Sequence, residues 1–196
     1  MTPGTTYLPI RLRVTDSPAL VEHFLALVAG DRRLRFGASL SDDAIRSLEE
    51  RIDFDRDEIF GIPADDLRLL AVVHVAFYPD MAELGLSALP EARGKGLGTA
   101  LFARATMHLA NRGVRRVFVH CLSENSAMMH LARRNGMEIV REGGEADGWL
   151  SLPRATPGTV LSEWVWDHNA RFAHEMRRFS RDAVTVIAGM RPDLRR

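Results

Sequence analysis

Residues 8–14 alternate between apolar and basic side chains, the two-residue period of a half-buried strand. Ser17-Pro18 then reads as a helix start, an N-cap residue followed by proline at the first helical position. Val21, Phe24, Leu25 and Val28 give that helix its apolar stripe, and Gly30 supplies a C-cap. A loop through residues 32–37 leads to a second helix starting near Ser41, with Ile45, Leu48 and Ile52 on one face. Residues 58–62 and 67–78 read as two strands joined at Pro63-Ala64-Asp65-Asp66, and residues 83–89 as a third, ended by Pro90.

A helix is predicted to about Asn111, with Gly113 as its stop signal. Arg116–Leu122 is a strand carrying Val117, Val119 and Cys121 on one face. Asn125 caps a helix with Met128, Met129 and Leu131, closed by Asn135-Gly136. A hairpin runs from 138–141 to 148–152 through Gly143-Gly144. The series β-α-α-β-β-β-α-β-α-β-β is α+β, with one right-handed β-α-β crossover.

A linker at residues 152–158 precedes one long amphipathic stretch, 159–190. Val165, Phe172, Phe179 and Val186 recur every seven residues, as do Met176, Ala183 and Met190; Asn169 interrupts the second row, and Trp164 and Trp166 fall outside it. Such heptads predict a helical seam, either folded back on its own domain or forming a dimer contact. The expected organisation is a domain over 1–152 and a linker with a long helix over 153–196.

The chain has 196 residues, enough for one domain with a substantial core, and its formal net charge is zero. That balance does not suggest a general nucleic-acid binder, which would show a basic excess. No apolar run reaches the length of a membrane span, and the start lacks the order of a secretion signal. The single cysteine, Cys121, fits a reducing compartment, so a cytoplasmic protein is expected. Charge is uneven along the chain. Residues 42–66 hold ten acids against three arginines, either a solvated helix face or a rim that attracts a cationic amine or basic surface.

The chemistry concentrates in Arg93-Gly94-Lys95-Gly96-Leu97-Gly98-Thr99-Ala100, between a strand and a helix. Glycines at alternate positions let backbone approach a ligand closely, and the free N–H groups of the following helix favour anionic oxygens. Arg93 and Lys95, the chain's only lysine, bring two cations to the same place. The Rossmann spacing fails, because its third glycine would fall at Thr99; the Walker spacing fails, because Leu89 stands where its first glycine belongs. What fits is R-x-x-G-x-G, read as Arg93, Gly96 and Gly98.

That motif, in its strand–turn–helix setting, resembles the coenzyme A pyrophosphate signature of the GNAT N-acetyltransferase superfamily. With the Arg35-Phe36-Gly37…Leu40-Ser41 loop, Arg51-Ile52-Asp53-Phe54, Ala82-Glu83 and Glu124-Asn125-Ser-Ala-Met, residues 8–152 are similar to the bacterial protein lysine acetyltransferase (Pat-type) GNAT domain. The resemblance implies a mixed, mostly antiparallel sheet splayed at a parallel strand pair, with helices on both faces and here an extra C-terminal helix. It implies acetyl-CoA wedged between the two parted strands, with Leu86, Ser87 and Ala88 offering backbone to the pantetheine arm. Residues 93–99 (Arg93, Gly94, Lys95, Gly96, Leu97, Gly98 and Thr99) would cradle the pyrophosphate, and Asn125 would lie near the leaving thiolate.

Acyl transfer from a thioester to an amine needs a neutral amine and a stabilised or protonated thiolate. The resemblance makes Glu83 the candidate base, set against an exposed strand-edge glutamate in an ion pair. Many relatives carry a tyrosine acid seven residues after the helix asparagine; Ala132 stands there, as a non-tyrosine also does in the Pat-type group. Ser123, His120, Cys121 or bulk water are the substitutes, and Ser123 is taken with Glu83 as a candidate catalytic residue. His74, His120 and His130 show no metal-ligand spacing, and no metal is expected. Trp149 and Tyr78 either line the acceptor pocket or pack in the core. The reading is an acetyl-CoA-dependent N-acetyltransferase acting on a protein lysine or a small cationic amine. The alternative is a catalytically silent acyl-CoA-binding sensor or interaction module.

Overall fold

The computed structural model describes residues 8–189, with side chains as far as Arg181. Seven strands form one sheet: β1 (Ile10–Arg11), β2 (Glu58–Pro63), β3 (Leu69–Phe77), β4 (Ala82–Ala88), β5 (Arg116–Leu122), β6 (Glu138–Glu142) and β7 (Glu145–Ser151). Their order is β1-β2-β3-β4-β5-β7-β6, and only β4 and β5 run parallel. Six helices accompany them: α1 (Ser17–Leu25), α2 (Ala29–Phe36), α3 (Asp42–Glu49), α4 (Leu97–Asn111), α5 (Ser126–Arg134) and α6 (Pro157–Gly189). Helices α1 and α4 both pack on β3, and all six residues of β2 are buried, so the centre of the sheet holds the core. The expected α+β sheet with one parallel pair is present.

Two local expectations fail for physical reasons. The first strand shrinks to Ile10–Arg11, and Val14–Asp16 forms a 3-10 turn whose Asp16 carboxylate accepts from the Arg13 N–H at 2.9 Å. Gly30 does not cap α1, and residues 32–36 are not a loop, because both lie in α2. The Arg32 guanidinium donates to the carbonyls of Leu25 and Leu27, which the end of α1 leaves unpaired, and to that of Leu40 before α3, at 2.8–2.9 Å. With that end closed, the chain turns at Val28 into a second helix, stopped by Gly37 at φ +77°.

Helix α6 folds back on α4 and β1. It docks through polar groups: Arg104, fully buried on α4, donates to Glu163 at 2.9 Å and to Asp167 at 2.6 Å. His108 contacts both Glu58 and Glu163, and Asn111 donates to Glu163 at 2.6 Å. The apolar row faces outward, with Val165, Phe172, Met176 and Phe179 exposed, and Trp164 and Trp166, outside the row, are exposed as well. Of the predicted heptad positions, the side chains of Ala183 and Val186, and all of Met190, lie outside the described residues.

Candidate active site

β4 and β5 pair at only two positions, Ala82 with Val117 and Glu83 with Phe118. Beyond Glu83, β4 stays with β3, while β5 continues along β7. The sheet therefore opens just past Glu83, and a cleft of about 440 Å³ fills the gap. Leu86, Ser87 and Ala88 form one wall, the turn from Arg93 to Thr99 its end, and Asn125 and Met128 the opposite wall.

Local sequence builds that turn. Gly94 and Gly96 have φ of +70° and +77°, a region a side chain makes costly, and open space lies where their Cβ atoms would be. Gly96 is the N-cap of α4 and no side chain caps the helix, so the first N–H groups face the cleft without a competing protein ligand. Opposite, the Asn125 carboxamide accepts from Met128 N–H at 3.0 Å, and its amide donates to the Leu34 carbonyl at 3.4 Å, tying the α5 cap to α2. An anionic diphosphate fits this end of the cleft: it has glycine backbone to approach, a free helix terminus and the cation of Arg93 at its rim. Arg93 itself is ion-paired with Asp31 of α2.

Side chains at alternate β4 positions continue on the α1–α2 face. Ser87 lies 2.8 Å from His23 Nε2. His23 Nδ1 lies 2.7 Å from the Leu69 carbonyl, which only accepts, so Nδ1 carries the proton and Nε2 accepts from the Ser87 hydroxyl. Burial holds the His23 pKa down at about 4, keeping the ring neutral. Glu83 accepts a hydrogen bond from Tyr78 at 3.2 Å, and its charge pushes the Tyr78 phenol up. Next to it, Gly85 faces His74 across the ladder, and His74 Nε2 sits 2.8 Å from Asp57. Burial lowers the His74 pKa, the Arg35 charge adds to that, and Asp57 opposes both.

Of the sequence-predicted residues, Leu86, Ser87, Ala88, Arg93, Gly94, Gly96, Leu97, Gly98, Thr99 and Asn125 line the cleft. Lys95 is exposed outside the lining, and Glu83 also lies outside it, as the last β4 residue paired with β5. Ser123 is not in the lining; its N–H bonds to the Gly144 carbonyl. Cys121 is buried against Met129, and burial pushes its thiol up. His120 is held by Asp147 at 2.7 Å, a bond that raises its pKa. Ala132 packs in the core, outside the cleft lining, and carries no proton donor. Trp149 stacks against Phe118 at 4.4 Å between ring centres, and Tyr78 is exposed beside Glu83. The sequence reading missed α2 altogether: Asp31, Leu34 and Arg35 all line the cleft.

The model of the acetyltransferase (GNAT) family matches residues 26–137, more than half of the chain. The chain belongs to the GNAT family. Solved GNAT structures share its fold. The GNAT domain of S. lividans PAT superposes with a TM-score of 0.63 at 21% identity, over 74% of this chain and 89% of that one. The spermidine N-acetyltransferase of Vibrio cholerae, solved with CoA and spermine, gives 0.60 at 17% identity over 76% and 96%. The ribosomal-protein-S18-alanine N-acetyltransferase of Escherichia coli gives 0.57 at 20% identity over 78% and 97%. No curated protein matches the sequence. Among the described residues, no helix is long and apolar enough to cross a membrane.

Proposed function

We propose that this GNAT protein is an acetyl-CoA-dependent N-acetyltransferase with Glu83 as its general base. The reading rests above all on the parting of β4 from β5 just past Glu83, the last paired residue, beside a cleft whose far end suits a diphosphate. Acetyl-CoA, when bound, supplies an acyl group on a thioester. Residues 93–99 then hold the anionic end through backbone N–H groups, and Leu86, Ser87 and Ala88 orient the arm along the freed edge of β4. Glu83, on the side of the sheet with Tyr78 and Phe118, takes a proton from the incoming amine. The acidic 42–66 segment sends Asp57 to His74 behind Glu83, which favours a cationic acceptor. The V. cholerae relative, solved with spermine, supports a polyamine-like amine, and the E. coli ribosomal-protein-S18-alanine N-acetyltransferase supports a protein amine. We place the protein in the cytoplasm because its one thiol, Cys121, is free and buried. We also infer that the outward row of α6 pairs with the same row of a second copy.

Glu83→Gln tests the base. CoA affinity should survive, measured by calorimetry, while turnover with an amine panel falls about 100-fold or more. Full turnover in that variant refutes the base. CoA binding by the wild type with no thiol release from acetyl-CoA on any amine would support the silent module instead.

A further inference from the structure

The Arg35 guanidinium is the one cation in the cleft lining, among the described residues, that lacks both a hydrogen bond and an ion pair. It comes from α2 and lies flat on Gly85 of β4: a Cβ built there would meet Nη1 at 2.6 Å and Cζ at 2.5 Å. Gly85 is the second residue past the last one paired with β5, between Glu83 and Ser87. The Phe36 ring, 5.0 Å from the guanidinium carbon, and the Phe24 ring at 6.0 Å hold the plane in place. Nε is buried without a partner, whereas the terminal nitrogens are not shut away from the cleft. Burial lowers the Arg35 pKa to about 10, with Glu83 opposing, so the group stays charged at neutral pH.

Leaving a half-buried cation unpaired costs stability, and Ala132 leaves the cleft without the usual proton donor. We propose that Arg35, laid on Gly85 where the sheet parts, stabilises the coenzyme's leaving thiolate in place of a general acid. This inference rests on the acetyltransferase reading above. In the step, nitrogen forms its bond to the acyl carbon and the C–S bond breaks. The electron pair stays on sulfur as a thiolate facing the guanidinium N–H groups, and the proton from nitrogen goes to Glu83. Sulfur needs no proton inside the cleft; it gains one from water after release. The groups around Arg35 suit this division. His23 on α1 is neutral, and His74 on β3 is held down by burial and by Arg35 itself. Glu83 on β4 is the carboxylate that acts on it. At the mouth, Arg93 is paired with Asp31 and Arg33 with Glu124.

The test is an ultraviolet titration of the CoA thiol on the enzyme, with free enzyme subtracted, after calorimetry has established CoA binding. A cation within reach of a thiolate favours the charged form by about tenfold or more. Wild type should hold the bound thiol ionised at least about tenfold more than Arg35→Met at the same pH, and Arg35→Lys should recover part of the difference. Gly85→Ala, which pushes the guanidinium aside without removing it, should behave like Arg35→Met and serves if that variant does not fold. Turnover should fall about 100-fold in kcat for every acceptor with KM for acetyl-CoA unchanged. Equal thiol titration in wild type and Arg35→Met overturns the inference and leaves the acetyltransferase reading intact. A KM rise confined to carboxylate-bearing acceptors also overturns it, in favour of an acceptor anchor. Absence of CoA binding in the wild type overturns both.

Discussion

Arg104 and Arg35 are both withdrawn from water, yet their surroundings are opposite. Arg104 is fully buried and its terminal nitrogens reach Glu163 at 2.9 Å and Asp167 at 2.6 Å, with the Phe60 ring 4.5 Å from its guanidinium carbon. Arg35 also lies against aromatic rings, but it meets no carboxylate and opens on the cleft. A buried cation is tolerated when anions and hydrogen bonds replace its water. Arg104 meets that condition within the chain, so its role is to fasten α6 to α4. Arg35 meets it only when something anionic enters from outside, as the proposed role at the thiolate requires.

Removing each arginine should therefore give opposite phenotypes. Arg104→Met takes the guanidinium from Asp167 and one of three partners from Glu163 and should cost about 3–5 kcal/mol, read as a lower denaturation midpoint, while the intact cleft of any folded fraction still binds CoA. Arg35→Met strands nothing. Its denaturation midpoint should stay within about 0.5 kcal/mol of wild type, or rise, despite the loss of turnover. If Arg35→Met unfolds the protein as Arg104→Met does, the distinction between the two cations fails.

The α6 anchor also sets a pH window. Burial alone would raise the Glu163 pKa, but hydrogen bonds from His108 and Asn111 outweigh it and hold the group at about 2. Its contribution is present above the ordinary glutamate value of 4.5 and is lost as pH falls toward 2. For His108, burial alone would lower the pKa, but Glu163 and Glu58 raise it above 6.5. Its contribution is complete below 6.5 and fades as pH rises through the folded value. The anchor is thus strongest between about pH 4.5 and 6.5. Thermal unfolding of wild type should fall away on both sides of that window, and Glu163→Gln should flatten both limbs. Unchanged limbs in Glu163→Gln would place the pH dependence elsewhere.

These contrasts also explain what was legible in the chain. The turn from Arg93 to Thr99 could be read because its requirements are local: positive φ at Gly94 and Gly96, then a helix start. Asn125 was legible as a cap for the same reason. Arg35 was not, because Ala29-Gly30-Asp31-Arg32 reads as a helix end until Arg32 is seen closing the carbonyls of α1. Nor does any residue of β4 announce that its pairing with β5 stops at Glu83; that register depends on residues more than thirty positions away. The α6 heptads were legible as a pattern, but not the choice of docking face, which Arg104 makes through Glu163 and Asp167.

That choice leaves the smallest effect on folding and the cleanest test of the outer face. Val165, Phe172 and Phe179 are 39%, 67% and 72% exposed, an apolar row on the side of α6 away from the anchor. In the proposed dimer the row on one copy would be matched by the same row on another about a two-fold axis, which would bury both without disturbing Arg104. Phe172→Glu should leave the monomer's stability within about 0.5 kcal/mol, since the side chain touches solvent in the single chain. It should also convert a dimer to a monomer in sedimentation equilibrium, because a carboxylate at the centre of the row would be buried unpaired on both copies. A wild type that sediments as a monomer at every concentration removes the second copy from α6, and with it the reason for the exposed aromatics proposed here.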